Sequence, residues 1–280
     1  MVVFPNCKIN LGLHITGKRT DGYHELETVF YPIQLCDSLE LISANTTIDQ
    51  NQKDINPIEF SASGLTIPGD ATNNLCVKAY QILKADFPQL PSVKIHLHKV
   101  IPMGAGLGGG SADGAFALQL LNEKYQLNIS EDQLIDYAAQ LGSDCAFFIL
   151  NKPSYALGRG EKLMPLAVDL SAYQFVLVHP GIHINTKWAF EQITPSIPSV
   201  SLKEVLHQPI ESWKNNLYND FEAPILAAYP EMNLIKNALY EDGAIYASMS
   251  GSGSSFFGIY PKQHKIEIKK QFQFRIDIVE

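Results

Sequence analysis

Between positions 101 and 113 the chain reads Ile-Pro-Met-Gly-Ala-Gly-Leu-Gly-Gly-Gly-Ser-Ala-Asp, and six of these residues, Gly104, Gly106, Gly108, Gly109, Gly110 and Ser111, carry little or no side chain. Glycines accept the positive φ angles that turn successive backbone N–H groups inward. The apolar helical run expected over 112–125 would aim its positive dipole end at the same point. By composition this is a cradle for a phosphate. Gly104, Gly106 and Gly109 match a dinucleotide fingerprint, and the loop lies between a strand expected over 93–99 and that helix. A dinucleotide fold would also place an acidic residue at the end of a second strand about 20 residues on. Glu131 and Asp132 instead open a helix. A Walker-type loop fails because no Gly-Lys-Ser/Thr closes the run.

With 280 residues the chain can bury one large core or two smaller ones. Its 29 acidic against 21 basic residues, a formal charge of −8, and the lack of a long basic cluster argue against nucleic acid as a partner. Cys7, Cys36, Cys76 and Cys145 are scattered, without the spacing of a zinc site or a disulfide framework, and fit a reducing compartment. There is no leader-like start, and no apolar stretch reaches the roughly 18 residues of a membrane span. The expectation is a cytoplasmic protein with no membrane partner.

From Lys8 onward Ile9, Leu11, Leu13 and Ile15 alternate with Lys8, Asn10, Gly12 and His14, the pattern of a half-buried strand that projects Lys8 and Asn10 from one face. Thr20-Asp-Gly22 reads as a turn delivering Tyr23 and His24. Strands are expected over 28–33 and 39–42, and a loop or hairpin tip over 43–57. Asn73-Asn74 can cap a helix running to Leu83. Ser130 and Gln133 form a capping box for a helix that stops at Gly142, which puts Asp144 at the entrance of the next apolar segment. Pro153, Gly158, Gly160 and Pro165 interrupt the patterning and suggest a lobe boundary over 151–169. Beyond it come a strand over 173–179, helical stretches around Leu202 and over 221–239, and a strand pair around residues 250–255. His96 and His98 alternate with Ile95 and Leu97 and read as exposed strand residues, not metal ligands.

The run from Pro102 to Ala112 resembles the second motif of the GHMP kinases, named for galactokinase, homoserine kinase, mevalonate kinase and phosphomevalonate kinase, where the loop holds ATP phosphates. Four further stretches follow that family's order: 8–24, Gly142-Ser-Asp144, His179-Pro-Gly-Ile-His-Ile-Asn-Thr186 and Ser250-Gly-Ser-Gly253. Pro5-Asn-Cys-Lys-Ile-Asn-Leu11 together with Ile15-Thr-Gly-Lys-Arg-Thr-Asp-Gly-Tyr-His24 is similar to the 4-diphosphocytidyl-2-C-methyl-D-erythritol kinase family. Ala146 stands where that family often has Pro, and Ser252 where it often has Thr; neither change removes a charged or nucleophilic group.

The resemblance implies an α+β, two-lobed GHMP kinase fold, with an N-terminal ATP-binding lobe over 1–160 and a C-terminal ferredoxin-like lobe over 161–280. It implies ATP-dependent phosphorylation of the 2-hydroxyl of a sugar alcohol bearing a cytidine diphosphate, in the non-mevalonate isoprenoid route, by a monomer or weak homodimer. Asp144 would be the general base and Lys8 its support. Asn10, Tyr23, His24, Thr186 and Phe190 would bind this small-molecule substrate. For ATP the resemblance implies Asn74, Leu75 and Lys99 beside the adenine, and Pro102, Met103, Gly104, Ala105, Gly106, Leu107, Gly108, Gly109, Gly110 and Ser111 around the phosphates. Magnesium comes with the nucleotide, and Ser111 is the one ligand in view.

Each residue also has a plainer reading. Asp144 could be only an N-cap, Lys8 and Asn10 polar strand residues on a solvated face, Tyr23 a turn residue, Phe190 core, and Thr186 a helix cap. Two rival functions share the cradle: a GHMP kinase acting on another alcohol, or a nucleotide-binding sensor without turnover. Tyr23, His24 and Phe190 separate the first, and the retention of Lys8 and Asp144 argues against the second.

Overall fold

Val93, Ile95, Leu97 and Lys99 are buried while Lys94, His96 and His98 face outward, and this parity builds the first of two units around one strand. A computed structural model describes residues 1–44, 57–268 and 274–280; most of the loop expected over 43–57 lies outside the described residues. The first unit comprises residues 1–7, 35–103 and 109–151. Its sheet runs β1 (Val2–Val3), β4 (Ser38–Ser43), β6 (Val93–Lys99), β5 (Ile58–Gly64), with β4 antiparallel and β5 parallel to β6. On the outer face the Ser61 and Ser63 hydroxyls lie 2.8 and 2.9 Å from the two ring nitrogens of His96, and Ser63 lies 3.0 Å from His98. The two histidines thus belong to a hydroxyl–imidazole ladder.

Four helices complete this unit: α1 (Leu75–Asp86), α2 (Gly109–Tyr125), α3 (Glu131–Leu141) and α4 (Cys145–Leu150). Local chemistry sets their ends. The Asn74 side chain caps α1 by accepting from Cys76 N–H at 2.9 Å. Ser130 and Gln133 form the expected capping box of α3, and Gly142 is its C-cap. A Cβ on Gly114 would come within 2.8 Å of Leu75 Cβ, so α1 and α2 approach one another where α2 has no side chain.

The second unit comprises residues 8–34, 104–108 and 152–280, so no single cut in the chain produces the two units. One of its sheets runs β2 (Asn6–Lys18), β3 (His24–Cys36), β7 (Ser154–Gly158), β8 (Lys162–Pro165). The segment expected as a lobe boundary is therefore largely an antiparallel hairpin paired to β3. Gly158 and Gly160, at φ +74° and +104°, make its turn instead of interrupting structure. The other sheet runs β10 (Tyr246–Met249), β11 (Phe256–Pro261), β9 (Tyr173–His179), β12 (Arg275–Val279), all antiparallel. With α8 (Glu222–Ala228) and α9 (Glu231–Glu241) between β9 and β10, it has the strand order of a split βαβ, the ferredoxin-like pattern. Phe221, Ile225, Met232, Ile235 and Leu239 bury their side chains against Val176, Val178 and Phe256.

Strand β2 departs from the half-buried expectation, because Asn6, Lys8, Asn10 and His14 are as inaccessible as the apolar residues between them. Each of these polar side chains meets a polar partner, which removes the penalty that would otherwise keep it in water.

Candidate active site

The glycine-rich loop is held open by its own backbone. Gly104, Gly106 and Gly108 have φ of +65°, +79° and +71°, while Ala105 and Leu107 between them are buried. The alternation keeps the glycine backbone at the accessible side. In the second unit three contacts fix the loop: Lys8 N–H donates to the Leu107 carbonyl at 2.9 Å, Ser255 N–H to that of Ala105 at 3.2 Å, and the Ser250 hydroxyl to that of Gly106 at 2.8 Å. A Cβ on Gly106 would overlap the Ser250 carbonyl oxygen and come within 3.2 Å of Gly253 O. Asn219, not singled out from sequence, is buried and donates to the carbonyls of Met249 and Gly251 at 2.9 and 2.8 Å, which shapes the turn that clamps the loop.

Helix α2 starts at Gly109, three residues before the expected start at Ala112. Glycine and serine are poor helix formers, so propensity delays the start and packing overrides it. Gly110 and Ser111 therefore lie in the first turn, among the N–H groups that lack intrahelical partners. The Ser111 side chain is in hydrogen-bond contact with the buried Cys145 thiol, whose pKa is pushed up to about 12, chiefly by desolvation. Among the described residues no group of three His, Cys, Asp or Glu could hold a metal ion. A lone half-exposed hydroxyl fits a magnesium ion that arrives on a nucleotide and keeps most of its waters.

Lys8 and Asn10 form one buried polar group. Lys8 Nζ donates to Asn10 Oδ1 at 2.7 Å and lies 4.9 Å from the Phe30 ring centroid. Asn10 Nδ2 donates to Thr28 Oγ1 at 2.8 Å, and the Thr28 hydroxyl donates to the Gly12 carbonyl at 2.6 Å. The solvated-face reading of both residues fails. The Lys8 backbone N–H bond to Leu107 places this strand residue beside the glycine-rich loop in the second unit.

In the first unit Asp144 occupies the N-cap position of α4, but with helical φ and ψ of −81° and −13° and no capping hydrogen bond from its side chain. It is therefore not the cap that its position suggests. Asn74 and Leu75 stand at the start of α1. The Lys99 ammonium is fully enclosed, 2.5 Å from Asp37 Oδ2 and 2.7 Å from Asp113 Oδ2, and its carbonyl accepts from Leu65 N–H at 2.8 Å. The signal was present in the sequence, since Lys99 continues the buried parity of Val93, Ile95 and Leu97. Asp37 and Asp113 were not legible as its partners.

Tyr23 is 56% exposed, with the Arg159 guanidinium 4.9 Å from its ring centroid. The stacked partner of Phe190 is His24, at 4.8 Å and 17°, and Phe221 meets Phe190 edge-on at 4.9 Å. Phe190 thus packs one edge against Phe221 and stacks its ring on His24. Thr186 opens α5 (Thr186–Glu191), but Asn185 is the cap, accepting from Trp188 N–H at 3.0 Å. The Thr186 hydroxyl is exposed, 3.3 Å from that of Ser252.

Two family profiles match the chain, the GHMP kinases N terminal domain over residues 74–152 and the GHMP kinases C terminal over residues 201–277. The chain belongs to the GHMP kinases and is a kinase enzyme. A 4-diphosphocytidyl-2-C-methyl-D-erythritol kinase of Bacteroides fragilis is 53% identical over 95% of this chain and 94% of its own, and one of Cytophaga hutchinsonii is 46% identical over 93% and 92%. Within the GHMP kinases the chain belongs to the 4-diphosphocytidyl-2-C-methyl-D-erythritol kinase family. A crystal structure of 4-(cytidine 5'-diphospho)-2C-methyl-D-erythritol kinase superposes with a TM-score of 0.84 at 29% identity, over 100% of this chain and 98% of the other. The Methanococcus jannaschii mevalonate kinase, at 13% identity and a TM-score of 0.70, shares the fold.

Proposed function

We propose that the chain transfers the γ-phosphoryl group of ATP to the 2-hydroxyl of 4-diphosphocytidyl-2-C-methyl-D-erythritol, a step of the non-mevalonate isoprenoid route. The relative of that name, 53% identical over 95% of the chain, carries this reading. The glycine cradle and the first turn of α2 receive the phosphates. Asn74 and Leu75 flank the adenine. Magnesium, with Ser111 as its protein ligand, neutralises phosphoryl charge when bound.

Transfer is direct. The Asp144 carboxylate takes the hydroxyl proton as the substrate oxygen bonds to the γ-phosphorus, and the bond from phosphorus to the β–γ bridging oxygen breaks to release ADP. Lys8 is a fixed positive charge. Buried and oriented by Asn10, it stabilises negative charge on the transferring group at little reorganisation cost. Asn10 orients the hydroxyl. Tyr23 offers an exposed ring face for cytosine, the stacked His24–Phe190 pair supplies a second platform and a ring nitrogen that can read the base edge, and the exposed Thr186 hydroxyl meets the diphosphate or sugar. Incubation with ATP, magnesium and the cytidine substrate should yield ADP and a product heavier by one phosphate in mass spectrometry. Preference for an alcohol without cytidine would overturn the substrate assignment.

A further inference from the structure

Three ionisable side chains stand inside the first unit beneath the start of α2, with no part in the chemistry above. Asp37, Lys99 and Asp113 are 1%, 1% and 2% exposed. Asp37, between β3 and β4, uses Oδ1 to accept from Val100 N–H at 2.5 Å and Ile101 N–H at 2.9 Å, the two residues that lead into the glycine-rich loop. Its Oδ2 meets Lys99 Nζ at 2.5 Å, and the same ammonium reaches Asp113 Oδ2 at 2.7 Å, one turn beyond the residues where the loop becomes helix. Gly109 rests directly on this group: a Cβ there would lie 2.8 Å from Ile101 Cγ2 and 3.0 Å from Lys99 Nζ. The two ends of the loop are therefore joined through a single ammonium.

Stability alone does not account for such an arrangement. Burying three ionisable groups carries a desolvation cost, and apolar residues of similar volume often serve a core as well or better. Asp113 Oδ1 has no hydrogen-bond partner among the described residues, a further cost. What these three groups supply and apolar packing does not is directional geometry. The loop between the tethered ends has three glycines at positive φ, so the separation and angle of its ends act together with the bonds to Leu107, Ala105 and Gly106 in setting where its N–H groups point.

We propose that Asp37, Lys99 and Asp113 are positioning residues that hold the two ends of the phosphate loop in the geometry that receives ATP. The inference rests on the reading of the loop as the ATP cradle. It assigns Lys99 an indirect role in place of contact with adenine.

Steady-state kinetics of the full chain with both substrates, melting curves and ATP calorimetry test it. Asp113→Ala removes the tether at the helix end and should raise the KM for ATP about tenfold or more, with the KM for the cytidine substrate within about twofold. Asp113→Asn, whose amide oxygen can still accept from Lys99, should restore most of the ATP affinity. Asp37→Asn keeps Oδ1 for Val100 and Ile101 but turns an N–H toward Lys99, and it provides the same measurement if Asp113→Ala does not fold. A folded variant of either kind with a lower melting temperature and an unchanged KM for ATP would reduce the triad to a structural ion pair and overturn the proposal. Gly108→Val separates the two readings. If it binds ATP like the wild type, the cradle reading fails and the positioning role falls with it; if it loses ATP while Asp113→Ala and Asp37→Asn do not, the positioning role alone is refuted.

Discussion

Replacing Gly106 by alanine tests how tightly the glycine-rich loop, the proposed phosphate cradle, is clamped. At φ +79° a side chain costs roughly 1–2 kcal/mol from Cβ crowding alone. The added methyl also overlaps the Ser250 carbonyl oxygen and lies 2.9 Å from its carbon, and neither is a flexible side-chain end that could swing away. Relief requires the loop and the turn over 250–255 to separate. That loosens the bonds from Ser250 Oγ to Gly106 O, at 2.8 Å, and from Ser255 N–H to Ala105 O, at 3.2 Å. Each such bond contributes about 0.5–1.5 kcal/mol net. The sum is about 2–5 kcal/mol, or a fall in melting temperature of roughly 4–20 °C for a chain of this size. A displacement of about 1 Å at the cradle should also lower turnover on the order of a hundredfold. Gly110→Ala is the control, because its Cβ would meet only Met103 Cε at 3.6 Å and the position is helical. It should melt at or above the wild-type temperature, with about 0.5–1 kcal/mol of helix propensity in its favour. Differential scanning calorimetry of both variants, with ATP kinetics of the first, decides the matter. Wild-type melting and turnover in Gly106→Ala, or equal thermal damage in both, would refute the clamp.

Asp144→Asn should cut kcat by about a hundredfold or more, the scale of a lost general base, with the substrate KM changed far less; near-normal kcat in the folded variant would remove the proposed base. Lys8→Met keeps length and apolar contact with Phe30 while deleting the charge, so kcat should fall by a similar factor of about a hundred, and a fall in melting temperature without a fall in kcat would mark Lys8 as structural. Tyr23→Ala should raise the KM for the cytidine substrate roughly ten- to a hundredfold, from about 1–3 kcal/mol of lost stacking, with ATP unaffected and Tyr23→Phe mild. Because Tyr23 is exposed, its melting temperature should not move, and an unchanged KM in Tyr23→Ala would withdraw the ring from cytosine binding.

What the sequence determined by itself is the local backbone chemistry. The alternate glycines at 104, 106 and 108 take positive φ because they have no Cβ to crowd the backbone, and the caps at Asn74 and Ser130 follow from side-chain groups a few bonds from the backbone they satisfy. Alternation marks β6, with one apolar face, and a continuous apolar run marks β9, buried on both faces. The tertiary structure decided everything that depends on a distant partner. Lys8 and Asn10 look like a solvated strand face until Thr28 and the Leu107 carbonyl close over them, and Lys99 looks like a ligand-binding lysine until Asp37 and Asp113, 62 and 14 positions away in sequence, enclose it. The hairpin over β7 and β8 is hidden for the same reason: short strands punctuated by glycine and proline owe their existence to pairing with β3, not to their own propensity. Alternation reports which residues share a face, but whether that face meets water or another layer of the protein is settled only when the rest of the chain folds against it.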